Sequence, residues 1–282
     1  MQPTGPNAEQ IEYWNLQAGP KWVAESARMD AMLAPIGLAA MERARPASGE
    51  RVLDVGCGAG RTTLELAARV GAKGSVLGVD ISAPMLGLAR ERARAEKVAN
   101  AKFENADAQT FAFTPESVDL IFSRFGVMFF AEPDAAFANL RRALRPGGRL
   151  AFVCWQALGL NPWMRDSIAA IAKHVQMPPP AAPDAPGPFA FADAARVRGI
   201  LERAGFRRVA HEALLGEISL GRPVDEALAF ATETGPAGSA LRGATDAQRD
   251  AALASMREAL EAQLKADGVR MAYATWIVTA ER

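Results

Sequence analysis

The chain has 282 residues, half of them hydrophobic, and its 32 Lys and Arg balance 32 Asp and Glu. That length and apolar share predict an ordered chain with a sizeable core and exclude intrinsic disorder. Zero net charge argues against a general polyanion binder such as a nucleic-acid-binding protein, and two cysteines, Cys57 and Cys154, are too few for a disulfide scaffold.

The opening MQPTGPNAEQ is polar and lacks the apolar run of a secretory signal. No uncharged apolar stretch reaches the length of a membrane span, so a cytoplasmic protein with reduced thiols and no membrane partner is expected. Residues 8–44 carry apolar side chains at three- and four-residue spacing and predict two helices broken at Gly19-Pro20. Residues 51–55 read as a buried strand, 62–70 as a helix, and 75–79 as a strand ended by Asp80. A helix over 84–97 follows, with Ser82 as its N-cap and Pro84 in its first turn. Residues 101–104 and 118–123 are strands. Residues 135–144 form a helix stopped by Arg145-Pro146-Gly147-Gly148, and 149–155 are another buried strand.

This alternation predicts parallel strands with crossover helices on both faces, whose ligands bind outside the carboxyl ends of the strands. Residues 177–191, MPPPAAPDAPGPFAF, are too proline-rich for a regular element and read as a loop or lid. Beyond them, 193–204 predict a helix ended by Gly205, 206–220 a strand, 224–231 and 246–266 helices, and 271–280 a closing strand. The expected fold is α/β: a doubly wound, seven-stranded, mostly parallel, Rossmann-like sheet with an antiparallel last strand.

The most informative stretch is VLDVGCGAGR at 52–61. A glycine turn between a strand and a helix N-terminus lets an anionic or polar ligand approach free backbone N–H groups. Asp54 is unusual there, because a carboxylate at a buried strand end needs a cationic or hydrogen-bonding partner. An ammonium group would provide one; a dinucleotide pyrophosphate would not. Asp80 ends the next strand, where an acid accepts ribose hydroxyls. Asp107 follows the third strand and can take an exocyclic amine. The implied ligand has an amino-acid end, a ribose and an adenine.

VLDVGCGAGR, VLGVDIS, NADAQTF, VDLIFSRFGVMFF and LRPGGRLAFVCW resemble the successive motifs of class I S-adenosylmethionine-dependent methyltransferases. They most resemble the small-molecule group that includes the ubiquinone and menaquinone biosynthesis methyltransferases. The resemblance implies S-adenosylmethionine as co-substrate. Gly56, Cys57, Gly58 and Gly60 would carry its methionine portion, with Asp54 acting on the amino group. Asp80 would hold the ribose, Ile81 would lie against the adenine, and Asp107 and Ala108 would bind the adenine. Ser123 would lie toward the methionyl end and the substrate. It also implies a single domain over 1–282: a helical cap (1–48), a donor-binding core (49–156), lid insertions (157–192 and 222–268) and closing strands (206–220 and 269–282).

No Asn/Asp-Pro-Pro-Tyr signature follows the fourth strand, which argues against amino-methylation of DNA adenine or protein glutamine. Arg124 stands there beside a cationic ligand, so its head is expected to turn away or to pair with an acid. Phe125, Phe129, Trp155 and Trp163 are the candidates for lining the acceptor site. The activity implied is in-line methyl transfer to a small, apolar or aromatic metabolite at oxygen, carbon or nitrogen. An S-adenosylmethionine-binding regulatory or non-methylating protein is the alternative. A dinucleotide oxidoreductase is opposed by Asp54 and by Arg61, which stands where a third fingerprint glycine would. No catalytic base is evident. His174 and Tyr13 are the candidates, set against an exposed helix residue and core packing respectively, and His211 reads as structural. No His/Asp/Glu cluster has metal-ligand spacing. The expected partners are the small-molecule substrate and, at most, a second copy of the chain.

Overall fold

The computed structural model describes residues 2–177, 179, 181–233, 238, 240, 241 and 243–282. The chain divides into two compact units, one of Met1–Trp155, Asp184–Ala213 and Trp276–Arg282 and the other of Gln156–Pro183 and Leu214–Thr275.

The first unit is built on β1 (Arg51–Val55), β2 (Ser75–Asp80), β3 (Ala101–Asn105), β4 (Val118–Arg124) and β5 (Leu144–Trp155). These strands pair in parallel in the order β3-β2-β1-β4-β5. The sheet order continues with β8 (Gly268–Glu281), which is antiparallel, and then β6 (Arg207–Gly221). Seven strands therefore form the path, as expected, and the two-residue β7 (Leu264–Lys265) pairs with β8 off it. Helices α4 (Arg61–Val70), α5 (Ala83–Ala95) and α6 (Pro133–Ala143) are the crossovers. Because both faces are covered, β1 and β4 read as near-continuous apolar runs rather than alternating ones.

Three expectations need correction. The N-terminal region holds three helices rather than two: α1 (Ala8–Leu16), α2 (Ala18–Ala24) and α3 (Ser26–Ala44). Pro20 does not break them. It sits in the first turn of α2, where its missing N–H costs no hydrogen bond. Arg145-Pro146-Gly147-Gly148 stops α6 but is drawn into β5 as a bulge, since Leu144 pairs with Val118 and Arg149 with Leu120. Of the proline-rich loop, Pro178 and Pro180 lie outside the described residues. Its far end, read as part of a loop or lid, is core: Phe191 is 1% exposed and packs among Phe137 and Phe152, ahead of α8 (Ala194–Arg203), which Asp193 caps.

In the second unit, α7 (Pro162–Ala172) and α9 (Val224–Glu233) each pack on α10 (Asp246–Glu261). Thr245 and Gln248 form a reciprocal capping box at the start of α10. That helix ends five residues before the expected 266 because Leu264 and Lys265 pair with Val269 and Gly268 in a tight hairpin. Among the described residues, no helix is long and apolar enough to cross a membrane.

The tips of β1 and β4 meet through backbone alone. A side chain on Gly126 would lie 2.6 Å from the Val55 carbonyl oxygen and 2.7 Å from the Gly56 Cα. Gly126 has an ordinary helical φ of −83°, so its requirement is steric and not conformational. Gly126→Ala is expected to cost about 1–3 kcal/mol in denaturant unfolding, as overpacking does. Gly87→Ala, inside α5 with nothing within 4 Å, is expected to gain about 0.5–1 kcal/mol instead. Equal effects of the two substitutions would remove the steric argument.

Candidate active site at the carboxyl ends of the central strands

Asp54 is fully buried near the end of β1. Its Oδ2 accepts hydrogen bonds from Thr62 Oγ1 and Thr63 Oγ1, both at 2.7 Å, from the first turn of α4. Its Oδ1 is buried with no partner. Burial pushes the carboxyl up to about 6, opposed by the two threonine hydroxyls and by the charge of Arg124. An orphaned carboxylate oxygen at this depth is an unmet demand for a donor, which an ammonium group or a water satisfies. Nothing in the local sequence marked Thr62 and Thr63 as the groups that hold this acid.

After β1 the backbone makes a turn in which Gly56, Gly58 and Gly60 all have positive φ, at 66°, 54° and 82°. Only glycine takes three such conformations without strain. The turn is tied internally by Gly60 N–H to the Cys57 carbonyl (3.0 Å) and to β2 by Gly56 N–H to the Val79 carbonyl (2.9 Å). Asp80 braces it, accepting from Gly58 N–H through Oδ2 (2.7 Å) and from Ser82 N–H through Oδ1 (2.8 Å). Burial raises the Asp80 carboxyl, and the backbone donors oppose that rise. The Cys57 thiol is buried and pushed well up, so it stays protonated and unreactive. Cys154 is likewise buried.

Asp107, after β3, accepts from Gln109 N–H (2.9 Å) and from Asn7 Nδ2 (3.2 Å) through Oδ1. Asn7 also accepts from Ala131 N–H (3.0 Å), and Gln109 Oε1 accepts from Glu132 N–H (2.9 Å). The Ala108 carbonyl is held by Asn139 Nδ2 at 2.9 Å. Helix α1 is fastened in the same way. Asn15 donates to the Ile81 carbonyl and accepts from Ala83 N–H, each at 2.9 Å. Ser82 occupies the N-cap position of α5, but its hydroxyl donates to the Trp14 carbonyl (2.9 Å) and caps nothing. The capping acceptor therefore comes from Asn15, a residue 68 positions away that local reading of the sequence does not reveal.

The aromatic candidates fall into two groups in the first unit. Phe125, in a left-handed conformation (φ 61°), stacks on Trp155 with centroids 4.2 Å apart and planes 11° from parallel. Phe129 meets the Trp14 ring edge-on at 5.2 Å, and Trp14 also touches Tyr13 and Trp22. Tyr13 is 39% exposed. Ser123 is fully buried, and its Oγ accepts from Gly126 N–H at 3.2 Å. Arg124 pairs with Asp30 of α3 at 3.5 Å, the acid that its position called for. Trp163 and His174 belong to the second unit, where His174 Nε2 hydrogen-bonds Ser255 Oγ of α10 at 2.7 Å. His211 lies in β6 against the Trp276 ring, with its pKa lowered by burial and by Arg198.

Residues 52–148 match the family model described as "Methyltransferase domain". Aklanonic acid methyltransferase of Streptomyces sp. is 36% identical over 118 residues, which cover 42% of this chain and 54% of that protein. A ubiquinone/menaquinone biosynthesis C-methyltransferase of Stutzerimonas stutzeri is 28% identical over 192 residues, covering 60% of this chain and 70% of that one. The alignment to the first of these thus spans about half of the relative's length. Among solved structures, the YcgJ protein of Bacillus subtilis superposes with a TM-score of 0.58 at 18% identity, over 87% of this chain and 97% of that one. A Haemonchus contortus phosphoethanolamine N-methyltransferase in complex with S-adenosyl-L-methionine gives 0.55 at 22%, over 88% and 52%. At these identities the two structures establish the fold.

The raised Asp54 carboxyl makes stability depend on pH with a definite sign. Folded, Asp54 keeps its proton to about pH 6; unfolded, it keeps it only to about 3.8, so the native chain binds the extra proton between those values. Stability contributed at this site therefore falls as pH rises from about 4 to 6 and is flat above. The gap of about two pH units corresponds to about 3 kcal/mol. Asp54→Asn cannot ionise, so the stability of the unsubstituted chain relative to this variant is expected to drop across that window in urea unfolding. Parallel curves would show that Asp54 titrates normally.

Proposed function

We propose that this chain, whose residues 52–148 match a methyltransferase domain, is a class I S-adenosylmethionine-dependent methyltransferase that methylates a small-molecule acceptor with S-adenosylmethionine as donor. The observation that carries the reading is the placement of Asp54, Asp80 and Asp107. They stand at the ends of β1 and β2 and just after β3, three adjacent parallel strands, beside a turn of positive-φ glycines. Three acids in a row match an ammonium group, a ribose diol and an adenine amine in order. The residues fit that ligand. Asp54 keeps a free oxygen, Asp80 spends one lone pair of each oxygen on the backbone and retains the others, and Asp107 directs its bonds through Oδ1 alone.

When bound, S-adenosylmethionine supplies a methyl group on a sulfonium that an electron-rich acceptor displaces in line. The protein's share is alignment and exclusion of water, which suit an apolar surround and can supply about 7–11 kcal/mol of the barrier in well-oriented systems. Phe125, Phe129 and Trp155 of the first unit are the side chains assigned to an apolar or aromatic acceptor. Ser123 serves the turn that seats Gly126 against Gly56, and Arg124 is paired with Asp30, which lessens its repulsion toward a cationic donor. No general base is assigned. His174 is engaged with Ser255 and Tyr13 packs on Trp14, so the reading favours an acceptor that needs no proton removed before attack.

Two measurements test this. Titration calorimetry with S-adenosylhomocysteine is expected to show saturable binding that Asp80→Ala weakens by about 1.5–3 kcal/mol, the range for a hydrogen bond to a charged group. Unchanged affinity in a folded variant would refute the ribose role. Incubation with methyl-labelled donor and a metabolite extract is expected to label a small product. Binding without any labelled product across broad acceptor panels would favour a non-methylating binder.

A further inference from the structure

The glycine turn has a brace from each side. Asp80 holds the Gly58 N–H from β2. From α5, Arg92 Nη1 donates to the Ala59 carbonyl at 3.0 Å and lies 2.8 Å from Asp30 Oδ2 of α3. The Arg92 and Asp30 side chains are only 16% and 18% exposed, so this is not a solvated surface pair. Asp30 also meets Arg124 at 3.5 Å through its other oxygen. One carboxylate thus joins α3 to α5 and to the end of β4, and through Arg92 to the turn itself.

The chemistry of the turn gives this arrangement a purpose. With positive φ at both Gly58 and Gly60, the peptide planes on either side of Ala59 swing easily. A carbonyl pinned by a guanidinium fixes them and so fixes where the adjoining N–H groups point. A cation so close to the seat of a cationic ligand is unfavourable unless it is paired, and the single charge of Asp30 is shared between Arg92 and Arg124. Resting on the donor reading above, we propose that Asp30 and Arg92 are positioning residues of the donor turn. Arg92 locks the Ala59 peptide, and Asp30 both orients Arg92 and offsets part of its charge.

The test is S-adenosylhomocysteine affinity by titration calorimetry on the full chain, with melting temperature measured alongside. Arg92→Met is expected to weaken binding about ten-fold or more, as loss of a charge-assisted hydrogen bond does. Arg92→Lys, whose ammonium still reaches the carbonyl or the acid, is expected to recover part of that loss. Asp30→Asn, which leaves two guanidiniums uncompensated, is expected to weaken binding as well. Arg43→Met breaks the half-exposed Arg43–Glu212 pair of the same helix and is expected to leave affinity unchanged. A purely structural role would lower the melting temperature of Arg92→Met and leave affinity alone; that result overturns the proposal. If Arg92→Met does not fold, wild-type affinity in both Arg92→Lys and Asp30→Asn overturns it equally. Absence of binding by the unsubstituted chain would defeat the donor reading itself, whereas equal affinities across the series defeat only this inference.

Discussion

The whole site depends on how closely two pieces of backbone approach. Where β1 and β4 leave the sheet, Gly56 and Gly126 lie so near one another that neither tolerates a side chain. Ser123 holds that approach from the β4 side through the Gly126 N–H, and the Val79 carbonyl holds it from the β2 side through the Gly56 N–H. With the two tips fixed together, the strand ends become a rigid rim. Asp54, Asp80 and Phe125 stand on that rim, each held further by its own partners. Phe125 illustrates the cost. It is held in a left-handed conformation that an aromatic residue seldom adopts, and its stack on Trp155 offsets that strain.

The electrostatics of the rim are deliberately unfinished. Burial raises the carboxyls of Asp54, Asp80 and Asp107, and Asp54 keeps one oxygen with nothing to receive. In an ordinary core such a group would be replaced by an apolar one or given a full set of donors. On the donor reading proposed above, a ligand supplies the missing donor, and binding and folding stability are then coupled: what fills the site also repairs it. The Thr62 and Thr63 hydroxyls keep Asp54 tolerable in the meantime.

The core of the fold was legible because its signals are local. A buried strand and an amphipathic crossover helix follow one another three times between residues 51 and 155, and parallel pairing follows from such crossovers. The three acids were legible for the same reason, since each ends or follows a strand. What escaped reading is held by contacts distant in sequence. Gly126 carries no local signal of its role, because its partner is 70 residues earlier. Asn7, Asn15, Asp30 and Arg92 likewise carry none, because their partners lie on other elements. The short hairpin that ends α10 was missed because its sequence, Leu264-Lys265-Ala266, suits a helix until it is paired with β8.

The attachments of Asn7 have a consequence for how the chain is made. Its partners, Asp107 and Ala131, stand 100 and 124 positions later and so emerge later in synthesis. At the usual pace of translation, the segment waits roughly 5–25 s for them. During that interval the ring cluster of Tyr13, Trp14 and Trp22 has no Phe129 to rest on. This aromatic segment thus stays uncovered until residues far downstream have been made, so a chaperone that shields aromatic surface would act on it there.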